Sequence, residues 1–481
     1  MPYRQDHAER TRWTALLVLC VGMLMVILDS TIVNVALPSI QDDLGFTQST
    51  LAWVVNAYLI AFGGLLLLSG RLGDLLGRKR LFVIGLAVFT LASLACGLAQ
   101  SQAALIAARF VQGVGGALSS AVILGMIVTL FPKPAEQARA IGIYSFVAAA
   151  GASIGLLAGG VLTDALSWHW IFFVNVPIGV ATALAAGRIL QRDEPLGLER
   201  GADSPGAVLL VAAVMLTVYT IVKASDAGWA SAQTLGLGAL SIALLTAFVV
   251  RESRARHPLV PLGAFRSRTV STANVVMALT VAGLFGMFFL GVLYLQRVHG
   301  YDAIEIGLAF LPVALSIAVM SLGVSARLVL RFGAWRTLVP ALALVVAGLL
   351  LFARLPVDGT YAVDMLPAML LLGIGAGVVF PAVTTLAMSE ATAEDSGLAS
   401  GLVSTSQQVG GALGLAILAT LSTDRTESLL EGGSATAAAL TGGYRLAFVV
   451  GAALVVAGLV LAALSARAGR PAAPQQEMAT A

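Results

Sequence analysis

The sequence predicts an all-α integral membrane protein of fourteen transmembrane helices, built as two six-helix bundles with two further helices inserted between them. Three observations carry this. Of the 481 residues, 58% are hydrophobic and only 11% charged, whereas a soluble domain carries roughly a quarter charged residues. Apolar runs recur at about the 20 residues that a bilayer core demands. Of the 28 Lys and Arg residues, 22 fall on one side of the predicted crossings. Such a composition leaves little chain for a sizeable catalytic or nucleotide-binding domain outside the membrane.

Taken in order, the first span covers residues 13–34, behind Arg4, Arg10 and Arg12; it is too long for a signal peptide and lacks a convincing cleavage site. Spans two and three, 51–69 and 81–99, flank a basic turn. Spans four to six are 104–130, 141–163 and 170–187, and seven and eight are 206–223 and 232–250. The remaining six are 271–294, 306–327, 337–353, 364–387, 397–421 and 444–464, each bounded by charge or by Pro and Gly clusters. An even count puts both termini on one side, and the basic residues make that side cytoplasmic. Only Lys223, Arg297, Arg354, Arg425 and Arg445 face the other side, with Arg109 inside a span. Two basic stretches, Arg188–Pro205 and Arg251–Arg268, set spans seven and eight apart. The expected organisation is therefore a bundle over 1–187, a linker with two helices over 188–268, a second bundle over 269–466, and a disordered Ala- and Pro-rich tail over 467–481.

An internal repeat supports this plan. Gly113, Gly115 and Gly116-Ala117 of span four match Gly373, Gly375 and Ala376-Gly377 of span twelve, 260 residues later. Ser145, Gly151 and Gly155 of span five match Ser404, Gly410 and Gly414 of span thirteen at an offset of 259. Parallel repeats of this kind are a transporter architecture.

Asp29 is the sole acidic residue well inside a predicted span. Such a carboxylate costs about 2.5–3.5 kcal/mol on insertion scales unless it is paired, wetted or protonated. It is therefore the first candidate for a proton carrier, the alternative being a permanently ionised structural carboxylate. Arg109 is the natural partner: counted along antiparallel spans at about 1.5 Å per residue, both lie roughly 10 Å below the outer membrane edge. A pair that parts in one conformation would couple proton binding to movement; a static pair would only fix packing.

The turn Gly70-Arg71-Leu72-Gly73-Asp74-Leu75-Leu76-Gly77-Arg78-Lys79-Arg80 has glycines for a tight reversal and basic groups for anionic headgroups. Its residues alone do not separate a specialised device from an ordinary basic turn. In span five, Gly151, Gly155, Gly159 and Gly160 form a small-residue face that lets another helix approach closely, as a sliding seam or as static packing. Asn34, Asn56, Tyr58, Gln112, Tyr144, Asn274, Gln407 and Gln408 are the polar groups available to line a substrate cavity. Phe285, Phe288 and Phe289 read as a lipid-facing stripe, and His169 between two tryptophans as part of the interfacial belt.

Other classes lack apparatus in this sequence. Cys20 and Cys96 lie in apolar runs without a CxxC or a companion His, so neither a disulfide framework nor a metal site is expected. With 4 His, no HExxH and no Ser, His and Asp set at membrane depth, no enzyme is expected. There is no GxxxxGK[ST] loop for ATP, no cofactor is expected, and nothing suggests nucleic-acid binding.

With these residues in hand, the chain resembles the major facilitator superfamily, in particular its fourteen-helix drug:proton antiporter family. Leu28-Asp29-Ser30-Thr31-Ile32-Val33-Asn34-Val35-Ala36-Leu37-Pro38 is similar to that family's first-helix motif, and the resemblance implies that Asp29 serves proton coupling. Gly70, Asp74, Gly77 and Arg78 resemble the superfamily's loop between helices two and three, which implies a conformational latch. Arg109, Gln112 and Gly113 resemble the fourth-helix motif, in which the Arg assists proton transfer. Trp168, Trp170, Asn175, Pro177 and Gly179 resemble the stretch leading into helix six. Gly151, Gly155, Gly159 and Gly160 fit the antiporter motif of helix five, although Leu156 stands where that motif has proline. The resemblance implies a major facilitator fold and a proton-driven exporter of drugs or antibiotics in the cell membrane. Its expected partners are a small amphipathic molecule, protons and the bilayer, and its expected state is a monomer. The competing expectations are a metabolite transporter or importer on the same fold and a membrane sensor that transports nothing.

Overall fold

The computed structural model describes residues 2–468 apart from 47, 192, 194, 198–203, 229, 256–266, 302, 393 and 394. Residues 469–481, most of the expected disordered tail, lie outside the described residues, as does most of the basic stretch 251–268. Among the described residues sixteen α-helices follow one another: α1 (Pro2–Leu44), α2 (Gln48–Leu76), α3 (Arg78–Gly97), α4 (Gln102–Leu130), α5 (Pro134–Ala165), a short α6 (Trp170–Phe173), α7 (Asn175–Ile189), α8 (Ser204–Ala227) and α9 (Ala232–Arg254). They continue with α10 (Arg268–Arg297), α11 (Ala303–Val319), α12 (Ser325–Phe332), α13 (Ala334–Phe352), α14 (Leu366–Ala387), α15 (Ser396–Glu431) and α16 (Thr436–Ala468). Among the described residues, twelve helical stretches are long and apolar enough to cross a membrane. Expected spans five and seven fall on α5 and α8; the apolar part of α8, Pro205–Ile221, is the shorter.

Three features differ from the sequence expectation. Several helices overrun the apolar stretches, α15 reaching 36 residues, because beyond the hydrocarbon a helix keeps its own hydrogen bonds with polar side chains. Span six is two segments, α6 and α7, broken at Val174. The cause is Pro177, which has no N–H and whose ring crowds the carbonyl four residues back. Finally, a π turn at Met320–Val324 interrupts span ten and another at Tyr361–Met365 opens span twelve, and no residue pattern announces them.

The glycine echo has a spatial counterpart. A Cβ on Gly113 would press on the Tyr58 backbone of α2, and one on Gly115 on the Phe89 backbone of α3. A Cβ on Gly373 would press on Val313 of α11 and one on Gly375 on Val345 of α13. Gly151 and Gly155 meet α1, and Gly410 and Gly414 meet α10. Helices α4 and α5 therefore sit among α1–α3 as α14 and α15 sit among α10, α11 and α13. Small residues hold these crossings because lipid gives no hydrophobic drive for helix association, leaving close backbone contact to do it.

The two halves meet through α2 and α4 against α15 and through α5 against α11 and α14. At the end of the bundle that carries the α2–α3 turn, this contact is backbone on backbone. A Cβ on Gly125 would lie 2.6 Å from the Ser396 carbonyl, and Cβ atoms on Gly70 and Gly142 would run into the carbonyls of Gly397 and Ser321. Helix α8 packs on α2 and α15 around Ile60, Leu67, Leu210, Val218 and Leu398. Its partner α9 leaves Leu235, Leu240 and Ile242 more than half exposed, a face suited to lipid.

Candidate functional site

Asp29 and Arg109 are brought together. Asp29, on α1, is fully buried and Arg109, on α4, is 1% exposed; the Arg109 Nη1 donates to Asp29 Oδ2 at 2.7 Å. The other carboxylate oxygen, Oδ1, accepts from Gln112 Nε2 at 2.7 Å and from Asn175 Nδ2 at 2.9 Å. Arg109 is further held by the Val54 carbonyl, 3.0 Å from its Nε, and by Gln112 Oε1, 2.7 Å from its Nη1. The Tyr58 ring lies 4.4 Å from the guanidinium carbon, an attractive cation–π geometry. Four helices, α1, α2, α4 and α7, thus meet around one carboxylate.

The sequence explains much of this arrangement. Arg109 and Gln112, three apart, share a face of α4. The break caused by Pro177 starts α7 at Asn175, which turns its amide toward Asp29, while the Phe172 carbonyl at the break accepts from Ser93 Oγ at 2.9 Å. Ser93 in turn accepts from Asn175 Nδ2 at 3.1 Å. Cys96 Sγ lies 3.5 Å from Gln112 Oε1. Gln112 and Tyr58 were expected along a substrate cavity; both are instead packed around the ion pair, because α2 and α4 cross where their small residues allow contact. Asn175, Ser93 and Cys96 were not singled out for this cluster from sequence. The signal in the sequence was the resemblance of Trp168, Trp170, Asn175, Pro177 and Gly179 to the stretch leading into helix six, which marked Asn175 without naming its partner.

Three of the four α5 glycines frame this same stretch of α1. A Cβ on Gly151 would meet Leu24 and Ile27, one on Gly155 would run into the Thr31 hydroxyl, and one on Gly159 would lie 2.9 Å from the Ile32 carbonyl. Gly160 faces open space, and the side chain of Leu156 is outside the described residues. Gly155→Val should therefore push α1 away from α5 beside Asp29, at a cost on the order of 1–3 kcal/mol. The expected result is a lowered thermal midpoint and impaired transport, with Gly160→Val close to wild type. Equal behaviour of the two variants in a melting and transport assay would refute the seam.

The expected latch residues meet the second half of the molecule. Asp74 Oδ1 accepts from Arg78 Nε and Nη2 at 2.9 and 2.7 Å and from the Gly397 N–H at 2.8 Å, and Oδ2 accepts from the Leu398 N–H at 2.8 Å. A carboxylate at the start of α15 satisfies N–H groups that the helix itself leaves open and faces its positive end. Arg71 Nη1 adds an ion pair to Asp395 Oδ1 at 3.3 Å. Gly70 allows the backbone contact, and Gly77, at φ 98°, makes the reversal into α3. The linker joins in: Asp193 Oδ2 accepts from the Arg78 N–H at 2.7 Å, and the Leu196 N–H donates to the Asp74 carbonyl at 3.0 Å.

The other expected cavity residues are scattered. Tyr144 is buried with its hydroxyl 3.8 Å from Met23 Sδ. Asn274 donates to the Val270 carbonyl and accepts from Ser406 Oγ. Gln407 reaches Met277 Sδ at 3.6 Å, whereas Gln408 lies across from Gly63 of α2. Asn56 is half-buried, and the side chain of Asn34 lies outside the described residues. Phe285 and Phe289 are about half exposed, while Phe288 stacks on Phe310.

Comparison with known proteins agrees with this geometry. The sequence pattern described as Major Facilitator Superfamily matches residues 19–415. The puromycin resistance protein pur8 of Streptomyces alboniger is 40% identical over 465 residues, covering 95% of this chain and 92% of that protein. The tetracenomycin C resistance and export protein of Streptomyces glaucescens is 38% identical over 414 residues, covering 86% and 76%. The fold is similar to the crystal structure of the human organic anion transporter MFSD10 (TETRAN), with a TM-score of 0.65 at 15% identity over 94% of this chain and 99% of that one. A multi-pass helical chain with these motifs, matched over most of its length, belongs to the Major Facilitator Superfamily.

Proposed function

We propose that the protein is a proton-driven exporter of small hydrophobic or amphipathic drugs or antibiotics, working by alternating access in the cell membrane. The observation that carries this reading is the Asp29–Arg109 cluster. In the described conformation a carboxylate and a guanidinium neutralise each other at membrane depth, 2.7 Å apart and closed off from solvent. A proton added to Asp29 leaves Arg109 as an uncompensated charge, which a low-dielectric interior tolerates poorly. Protonation therefore favours a different arrangement of α1 against α4, and that is the differential coupling an antiporter needs. Resistance and export proteins among the relatives support a drug or antibiotic as cargo.

In this reading both termini are cytoplasmic, the latched end of the bundle is the cytoplasmic one, and the described state is closed toward the cytoplasm. The protein works as a monomer, without ATP or a cofactor. One proton entering down 100 mV supplies about 2.3 kcal/mol, roughly a fortyfold concentration ratio. The test is efflux of preloaded puromycin, ethidium and other hydrophobic antibiotics from cells expressing the protein, with and without a protonophore. Efflux that stops when the gradient collapses is the expected result. Accumulation would favour an importer, and absence of flux from a surface-expressed protein a sensor.

A further inference from the structure

We propose that Asn175 is a positioning residue for proton binding: with Gln112 it clamps Oδ1 of Asp29, so that the proton lands on Oδ2, the oxygen paired with Arg109. This rests on the reading of Asp29 as the proton carrier. The two oxygens are not equivalent. Oδ1 accepts two neutral amide N–H groups, from Gln112 at 2.7 Å and Asn175 at 2.9 Å, whereas among the described residues Oδ2 accepts only from Arg109. An amide N–H bonds the carbonyl oxygen of a neutral carboxyl too, though less strongly than a carboxylate oxygen, so the Oδ1 contacts persist through protonation while favouring the ionised form. The Arg109 contact is weakened far more, because a protonated Oδ2 loses its charge and becomes a hydroxyl, a donor and only a weak acceptor. Arg109 is not stranded, since the Val54 carbonyl and Gln112 Oε1 still accept from it. The proton adds to Oδ2, no other bond breaks, and the cluster goes from neutral to singly positive.

Asn175 has the features of a residue kept for this task. It is fully buried, and its Nδ2 spends one hydrogen on Asp29 and the other on Ser93 Oγ, itself tethered to the Phe172 carbonyl. Its own Oδ1 finds no donor among the described residues. An apolar side chain would avoid leaving that acceptor unmet; what the amide supplies is the donor aimed at Asp29. The reverse amide orientation would set oxygen against a carboxylate. The ionisable groups facing Asp29 from the packed elements are Tyr58 of α2, Cys96 of α3 and Arg109 of α4. None of them sits on α7, so a variant at 175 changes no neighbouring charge.

The test is an infrared titration of the purified protein in lipid vesicles, following the carbonyl stretch of protonated carboxyl groups; the band that Asp29→Asn deletes belongs to Asp29. In Asn175→Ala this band is expected at higher frequency, since its carbonyl oxygen Oδ1 has lost a donor. Its pH midpoint should also move up by about one unit, the scale of one hydrogen bond to a charged group. Ser93→Ala, which frees the amide without removing it, should give a smaller shift in the same direction and carries the test if Asn175→Ala does not fold. A band unchanged in frequency and midpoint in both variants would overturn the role of Asn175 while leaving Asp29 as the carrier. Failure to find any band that Asp29→Asn removes would overturn both readings.

Discussion

Asp29→Asn should abolish concentrative efflux while leaving a folded protein that still exchanges substrate across the membrane. The substitution keeps shape and removes the titrating group, so a carrier of protons becomes a carrier without them. It also leaves Arg109, 1% exposed, as a buried charge with no counter-charge, a condition costing about 2.5–3.5 kcal/mol on insertion scales. An Asn at this position has one acceptor for three donors: with its oxygen toward Arg109, its NH2 confronts the amide N–H groups of Gln112 and Asn175 that now converge on Oδ1. The loss should be complete in the uphill assay, because coupling, unlike packing, has no partial form when a single group carries the proton. Substrate exchange without a gradient separates this from misfolding. Uphill efflux by the Asn variant, expressed at the wild-type level, would move the proton site elsewhere.

The legibility of this site in the sequence follows the cost of each residue. Asp29 and Arg109 stood out because charge in an apolar run is expensive, and their matching depth made them candidate partners. Asn175 was legible as part of the motif leading into helix six but not as a partner of Asp29, since a neutral amide at a helix start is cheap and common, and its value lies in α7 crossing α1, which no spacing encodes. Gln112 and Tyr58 were legible as polar groups facing inward but not as neighbours of the carboxylate. To tell an ion pair's surroundings from a cavity wall requires knowing that α2, α3 and α4 pack together there. Glycines were the exception among neutral residues: their period along α4, α5, α14 and α15 marked close crossings and the repeat, though not which helix each one meets. The π turns at Met320–Val324 and Tyr361–Met365 left no pattern to read.

Gly70→Val should disable transport by a different route, by preventing the two halves from closing at the latched end. Even a Cβ at position 70 would run into the Gly397 carbonyl and approach the Gly401 Cα to 3.0 Å. Both obstacles are backbone atoms of α15, so relief requires moving the helix. That movement carries α15 away from Asp74, whose two oxygens hold the Gly397 and Leu398 N–H groups at 2.8 Å, and from Arg71, paired with Asp395 at 3.3 Å. Overpacking alone costs about 1–3 kcal/mol; at the upper end this shifts the balance between closed and open arrangements by more than a hundredfold. The folded halves are not themselves disturbed, because Gly70 lies between them. Joining Arg71→Cys and Asp395→Cys with a short bifunctional maleimide reads the closed arrangement directly, the native Cys20 and Cys96 being buried. Crosslinking should fall at least tenfold when Gly70→Val is added, with transport falling in parallel and membrane expression unchanged. If the two positions still link and transport persists, closure at this end does not depend on the Gly70 contact, and the Asp74 carboxylate with the Gly125 and Gly142 contacts must hold it.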